Sequence, residues 1–274
     1  MTADIVTPHP NLIRRGAGTP VLFIHGNGVD HRDMLDLDAA FEGGPWERLY
    51  LDLPGFGQTP PLDAPGGLPE LADWLDHAVG ELIGSSPFAV VGTSLGGLLA
   101  RDLVARRPDQ CLGMALIVPV VDSVRENRTL PAPVVLETDP ALIAGLSVED
   151  AAAYTELAVV QSPANWERFR RSVLPGLRAA NVRAMARLEQ NYALPESPDD
   201  RLTGFECPVL IVTGRQDAVV GFEDQWALAQ RFPHATYALL DRAGHNASID
   251  AADAVQALLR EWSGHVAALH AGPS

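Results

Sequence analysis

Short apolar runs alternate with stretches of helical periodicity along most of this chain. Residues 21–24 (Val-Leu-Phe-Ile), 48–51, 87–91, 114–118, 209–212 and 236–240 each read as a strand. Apart from Arg48 and Thr236 at two of the starts, they are apolar throughout rather than alternating, the signature of strands buried on both faces. Between them, residues 68–83, 95–106, 223–231 and 251–268 repeat apolar positions at helical spacing. Strand and helix taking turns predicts an α/β fold, with a mostly parallel central sheet covered by helices on both faces.

The alternation breaks once. About ninety residues without a strand signal separate the runs 114–118 and 209–212. The spacing predicts a helical insertion over residues 122–205, set into a core of residues 1–121 and 206–274. Ser147 with Asp150 three positions on reads as an N-cap opening a helix through residue 160. Ser162-Pro163 opens a second helix, with proline at its first position. A third is expected over residues 177–192. The tail 271–274 is expected to be loose.

A length of 274 residues and 47% hydrophobic content suit one α/β domain with a sizeable core. No apolar run reaches membrane-spanning length, and Met1-Thr2-Ala3-Asp4 has no signal-peptide pattern. Cys111 and Cys207 lie far apart without metal-type spacing. They read as reduced core residues, and the default compartment is cytoplasmic. The formal charge of −15 argues against nucleic acid or an anionic membrane as partners. All 20 basic residues are arginine. Schiff-base chemistry and a lysine base are therefore excluded, because arginine does not deprotonate near neutral pH.

Gly92-Thr93-Ser94-Leu95-Gly96 joins the apolar run 87–91 to the helical stretch that follows. A serine between a buried strand and a helix turns the chain back sharply, in a strained conformation that projects its hydroxyl. Residues two before and two after it crowd the backbone, and both are glycine. On these residues the chain resembles the α/β-hydrolases, with Ser94 at the nucleophile elbow. His25-Gly26-Asn27-Gly28 is similar to the family's His-Gly-x-Gly oxyanion loop, and Asp52-Leu53-Pro54-Gly55-Phe56-Gly57 to its Asp-x-x-Gly-x-Gly turn. The motifs span residues 21 to 245. The resemblance implies a helical cap at residues 122–205, and a small-molecule substrate with no cofactor.

A serine hydroxyl needs a base within hydrogen-bond reach, and histidine suits that role near neutrality. Of eight histidines, His245 has the best context, in the loop between the last strand and the final helix. The family places its base there, in the chain order serine, acid, histidine. Asp217, after the strand 209–212, fits the acid best; Asp122, after the strand before the insertion, is the alternative. Asp241 is expected to cap a turn. The oxyanion donors implied by the resemblance are the backbone N–H groups of Leu95 and Asn27. His25 is then expected to shape its loop, and Asp52 to bond its own turn. His9, His31, His77, His265 and His270 show no ligand-like clustering, so no metal site is expected.

Ser94 argues against the haloalkane dehalogenases and epoxide hydrolases, which carry aspartate at the elbow. The absence of lysine argues against the hydroxynitrile lyases of this fold. Thr93 and Asn246 weaken a carbon–carbon bond hydrolase, and the oxyanion loop departs from that of proline iminopeptidases. A hydrolase of carboxylic esters or lactones is left, acting through an acyl-enzyme. A carbon–carbon bond hydrolase, an aminopeptidase, an acyltransferase and a receptor-like binder with little turnover are the other readings. Tyr154, Trp166, Phe169 and Tyr192 suit an apolar acyl pocket or the insertion's own core. Arg183 and Arg187, one turn apart, suit either a substrate carboxylate or an exposed helix face.

Overall fold

The computed structural model describes residues 8–270; the start 1–4 and the tail 271–274 considered above lie outside the described residues. Seven strands form one sheet: β1 (Leu12–Arg15), β2 (Thr19–Ile24), β3 (Trp46–Leu51), β4 (Phe88–Thr93), β5 (Cys111–Ile117), β6 (Val209–Gly214) and β7 (Ala235–Leu240). Their order is β1-β3-β2-β4-β5-β6-β7. All neighbours pair in parallel except β1, which runs antiparallel to β3 at one edge.

The helices are α1 (His31–Leu35), α2 (Leu68–Leu82), α3 (Leu95–Arg106), α4 (Pro140–Ala144), α5 (Val148–Thr155), α6 (Pro163–Ser172), α7 (Leu174–Ala179), α8 (Val182–Gln190), α9 (Pro198–Arg201), α10 (Glu223–Ala229), α11 (Ala247–Asp250) and α12 (Ala252–His270). The inner strands are sealed on both sides: every residue of 21–24, 88–91 and 114–117 is fully buried. α2 packs with α3 on one face of the sheet. On the other, a Cβ on Gly113 of β5 would collide with Val266 and Trp262 of α12.

Parallel register gathers one set of loops at one edge of the sheet. Ile24 pairs with Gly92, Gly92 with Leu116, Ile117 with Val212, and Gly214 with Leu240. The loops that leave β2, β4, β6 and β7 therefore begin side by side. They carry His25–Gly28, Ser94, Asp217 and His245.

α4 to α9 all lie between β5 and β6, inside the expected insertion. Ser147 and Ser162 cap α5 and α6, accepting from the N–H groups of Asp150 and Asn165. The expected first helix stops at Thr155 instead of residue 160, because residues 159–161 pair with residues 136–137. The expected third helix is two, α7 and α8, divided at Asn181, whose side chain caps α8. Tyr154, Trp166 and Phe169 lie with ring centroids 5.3–6.0 Å apart; Trp166 stacks on Phe169, and Tyr154 meets Trp166 edge-on and Phe169 at a tilt. With Val173 and Leu174 they form the insert's own small core, which extends to Val29 and Ile249. At its far end the insert is tied to α3: the fully buried Arg101 pairs with Asp199 of α9, and Arg201 with Asp102.

Candidate active site

Ser94 holds φ +53° and ψ −115°, a conformation that costs a non-glycine residue about 1–3 kcal/mol. Its backbone is pinned on three sides. Ser94 N–H donates to Ile117 O at 3.0 Å, while Ser94 O accepts from Gly97 N–H and Val120 N–H, each at 3.0 Å. The two glycines expected at the turn are required by space. A Cβ on Gly92 would strike the Gly96 carbonyl, and one on Gly96 would strike the Ile24 carbonyl. Only bare backbone lets α3 start this close to β2.

The hydroxyl of Ser94 lies 3.0 Å from His245 Nε2, and His245 Nδ1 lies 2.9 Å from Asp217 Oδ2. The other carboxylate oxygen of Asp217 accepts from Val219 N–H at 2.8 Å and Val220 N–H at 3.0 Å. Asp217 is fully buried, whereas Ser94 keeps 8% of its surface. Asp122 is elsewhere. Its carboxylate accepts from Val124 N–H at 2.8 Å and from the Asn127 side chain at 3.0 Å. Asp241 accepts from the Gln216 side chain, 3.1 Å away, at the surface.

Gly26 brings the 25–28 loop to Ser94: a Cβ there would lie 3.3 Å from the serine Cβ. Among the described residues, neither Asn27 N–H nor Leu95 N–H has a hydrogen-bond acceptor. His25 is buried behind the loop. Its Nε2 accepts from Leu53 N–H at 2.9 Å, and its Nδ1–H donates to Gly26 O at 2.7 Å. Burial lowers the pKa of His25, and the two bonds fix a single neutral tautomer.

Asp52 bonds its own turn through Gln58 N–H at 2.9 Å, and also holds α1. It accepts from the backbone and ring of His31 at 2.8 and 2.7 Å, and from the Asn11 side chain at 2.8 Å. Burial pushes the Asp52 carboxyl up, but these bonds outweigh it and hold it at about 2. Asp30, His31 and Asp52 bring potential metal-ligating atoms within 4.8 Å of one another. His31 and Asp52 spend those atoms on each other, and Asp30 pairs with Arg32.

Two carboxyls near His245 gave no sequence signal as site residues. Asp33 on α1 is nine-tenths buried. Burial, then the negative neighbour Asp36, raise its pKa, the charge of His245 lowers it, and the balance lies at about 7. Asp250 accepts from Gly244 N–H at 2.9 Å and from the Asn165 side chain at 3.2 Å. Burial raises Asp250 more than these two bonds lower it, again to about 7.

The insert touches the loops that follow β2, β3, β6 and β7. A Cβ on Gly28 would meet Leu177 at 3.4 Å, and Gly176 packs on Val29 and Asp30. Gly55 packs on Ala184 of α8, Gly221 on Thr129, and Gly244 on Val159. Arg187 donates to Leu62 O at 2.6 Å while Arg183 is exposed, so the two do not form a pair. A cavity of about 220 Å³ remains between residues 133–135 and 155–159 of the insert, the 216–219 loop and His245.

The family described as alpha/beta hydrolase fold matches residues 19–252, and the chain belongs to it. It is an enzyme of that fold. It is 27% identical to a 2-hydroxymuconate semialdehyde hydrolase of Pseudomonas putida over 95% of this chain and 92% of that one. A pimeloyl-[acyl-carrier protein] methyl ester esterase of Shewanella woodyi is 28% identical, over 90% and 94%. Among solved structures, an alpha/beta superfamily hydrolase from Oenococcus oeni PSU-1 superposes with a TM-score of 0.87 at 26% identity, covering 94% of this chain and 96% of that one. Among the described residues, no helix is long and apolar enough to cross a membrane.

Proposed function

We propose that this chain is a serine hydrolase of carboxylic esters or lactones, with Ser94 as nucleophile, His245 as base and Asp217 as acid. The observation that carries the reading is the continuous relay from Asp217 Oδ2 through His245 to Ser94 Oγ, with links of 2.9 and 3.0 Å. His245 Nε2 takes the Oγ proton as Oγ attacks the carbonyl carbon. Asp217 holds Nδ1–H and so keeps Nε2 free to accept. It also stabilises the imidazolium that forms, and the two N–H groups on its other oxygen fix its own orientation. Leu95 N–H, at the start of α3, and Asn27 N–H receive the carbonyl oxygen as it becomes negative. His245 returns the proton to the departing alcohol, and water then repeats the sequence on the acyl-enzyme.

In this reading residues 122–205 act as a cap. Its contacts with the loops around Gly28, Gly55, Gly221 and Gly244 keep bulk water from the relay and leave the cavity beside His245 as room for substrate. The substrate is a small molecule.

The test is stoichiometric labelling of Ser94 by a fluorophosphonate, together with burst release from p-nitrophenyl acetate. Ser94→Ala is expected to abolish both and to lower turnover by several orders of magnitude with the fold intact. Wild-type turnover in folded Ser94→Ala protein overturns the reading.

A further inference from the structure

Resting on the ester reading, we infer that the cavity beside His245 is the leaving-group subsite, and that it takes an uncharged apolar alcohol. When an ester acylates Ser94, the Oγ–carbon bond forms and the bond from the carbonyl carbon to the alkoxy oxygen breaks. The proton taken from Oγ leaves on that oxygen, delivered by His245 Nε2. The departing oxygen must therefore face the imidazole, and the chain it carries must continue past the ring.

The cavity lies on that side and on no other. Its walls are His245, the 216–219 loop behind the acid, and two stretches of the insert. None of the lining residues belongs to the 25–28 loop, to Ser94-Leu95, or to α1, α7 and α8. The acyl half of a bound ester sits over that opposite side, with its oxygen toward Leu95 and Asn27. The alcohol half is what the cavity can receive.

Its lining sets the chemistry. Val134, Val135, Leu157, Val159 and Val219 contribute apolar surface, and no arginine is among the lining residues. An anionic leaving group finds no counter-charge there and meets Glu156, the one carboxylate in the wall. Val134 and Val135 stay 44% and 43% exposed in the free protein. A bound alkyl chain covers that surface, which is a reason for a protein to leave it open.

The experiment compares two ester series of equal carbon count. In n-alkyl acetates the acyl group and the leaving-group acidity are held constant while the alcohol grows. In methyl alkanoates the acyl group grows instead. The inference expects kcat/KM to rise about fourfold per methylene in the acetate series until the cavity is full. kcat converges across that series wherever breakdown of the shared acetyl-enzyme limits turnover. An acetate ester whose alcohol ends in a carboxylate is expected to fall at least about tenfold below its neutral counterpart, and Glu156→Gln to narrow that gap. Val135→Asp, at a position exposed enough to accept a charge, is expected to flatten the acetate slope.

A flat acetate series beside a rising alkanoate series assigns the cavity to the acyl chain and overturns the inference. Acetates turned over with Ser94 labelled, but with no dependence on either chain, overturn it too. If Ser94 is neither labelled nor acylated, the ester reading itself fails and the subsite falls with it. Fluorophosphonate labelling separates these outcomes.

Discussion

The carboxylate of Asp250 accepts the backbone N–H of Gly244 at 2.9 Å, one residue before His245, and its other oxygen accepts the side-chain amide of Asn165 on α6. One side chain thus ties the histidine loop both to the helix that follows it and to the insert. Removing an acceptor of two buried donors costs about 1–3 kcal/mol. Asp250→Ala is expected to lower kcat about tenfold or more, with a smaller change in KM. Asp250→Glu is expected to restore part of the loss. Steady-state kinetics and thermal melts on both variants check this; an unchanged kcat in Asp250→Ala removes the positioning role.

Asp217 and Asp122 are separated by their partners. Asp217→Asn is expected to lower kcat about 10⁴-fold, because the amide favours the wrong tautomer of His245. Asp122→Asn leaves the relay untouched and is expected to stay within about threefold of wild type. Side-by-side kinetics decide between them, and an inactive Asp122→Asn beside an active Asp217→Asn reverses the assignment.

Asn27 is read as acting through its backbone. Asn27→Ala keeps that N–H and is expected to cost less than about tenfold in kcat/KM, against the 10²–10³ that loss of an oxyanion donor typically costs. Circular dichroism and the melting temperature report whether the loop survives. A well-folded variant down a thousandfold assigns the work to the side chain.

Asp33 makes a prediction with a definite sign. Burial first, and Asp36 next, raise its pKa from 3.8 to about 7. Between those values the folded chain holds a proton that the unfolded chain has released, so stability falls as pH rises from 3.8 to 7 and is level above. Asp33→Asn removes that loss. Its melting temperature is expected to exceed wild type at pH 8 by at least about 2–4 °C, the equivalent of ~1 kcal/mol for a chain of this size. The gain is expected to vanish toward pH 4. Equal melting temperatures at pH 8 overturn the account.

The inner sheet was legible because strands buried on both faces have only one way to be written. β2, β4, β5 and β6 all coincide with continuous apolar runs. β1 escaped because Leu12–Arg15 is a four-residue edge strand ending on two exposed arginines. Ser94, His245 and Asp217 were legible because each follows a strand at the same sheet edge, and the glycines around Ser94 report a steric demand directly. Asp33, Asp250 and Asn165 were not. Their environments come from helices α1, α6 and α11, which lie far apart in the chain; Asn165 and Asp250 are 85 residues apart. The bond of His31 to Asp52 joins α1 to the turn after β3, and no local spacing signals it. The break in the expected 177–192 helix was readable in principle, because Asn181 is a good N-cap.

The wall that residues 133–135 give to the cavity runs on into a stretch tied to residues 159–161. Leu136 N–H donates to Val159 O and Gln161 N–H to Glu137 O, each at 2.9 Å. Pro133, Val134 and Val135 all line the cavity, so one substitution among them resurfaces this wall while the tie to residues 159–161 stays in place. The change reaches neither Ser94, His245 nor Asp217. A lineage carrying this scaffold can alter what it accepts in a single mutational step while its chemistry stays fixed.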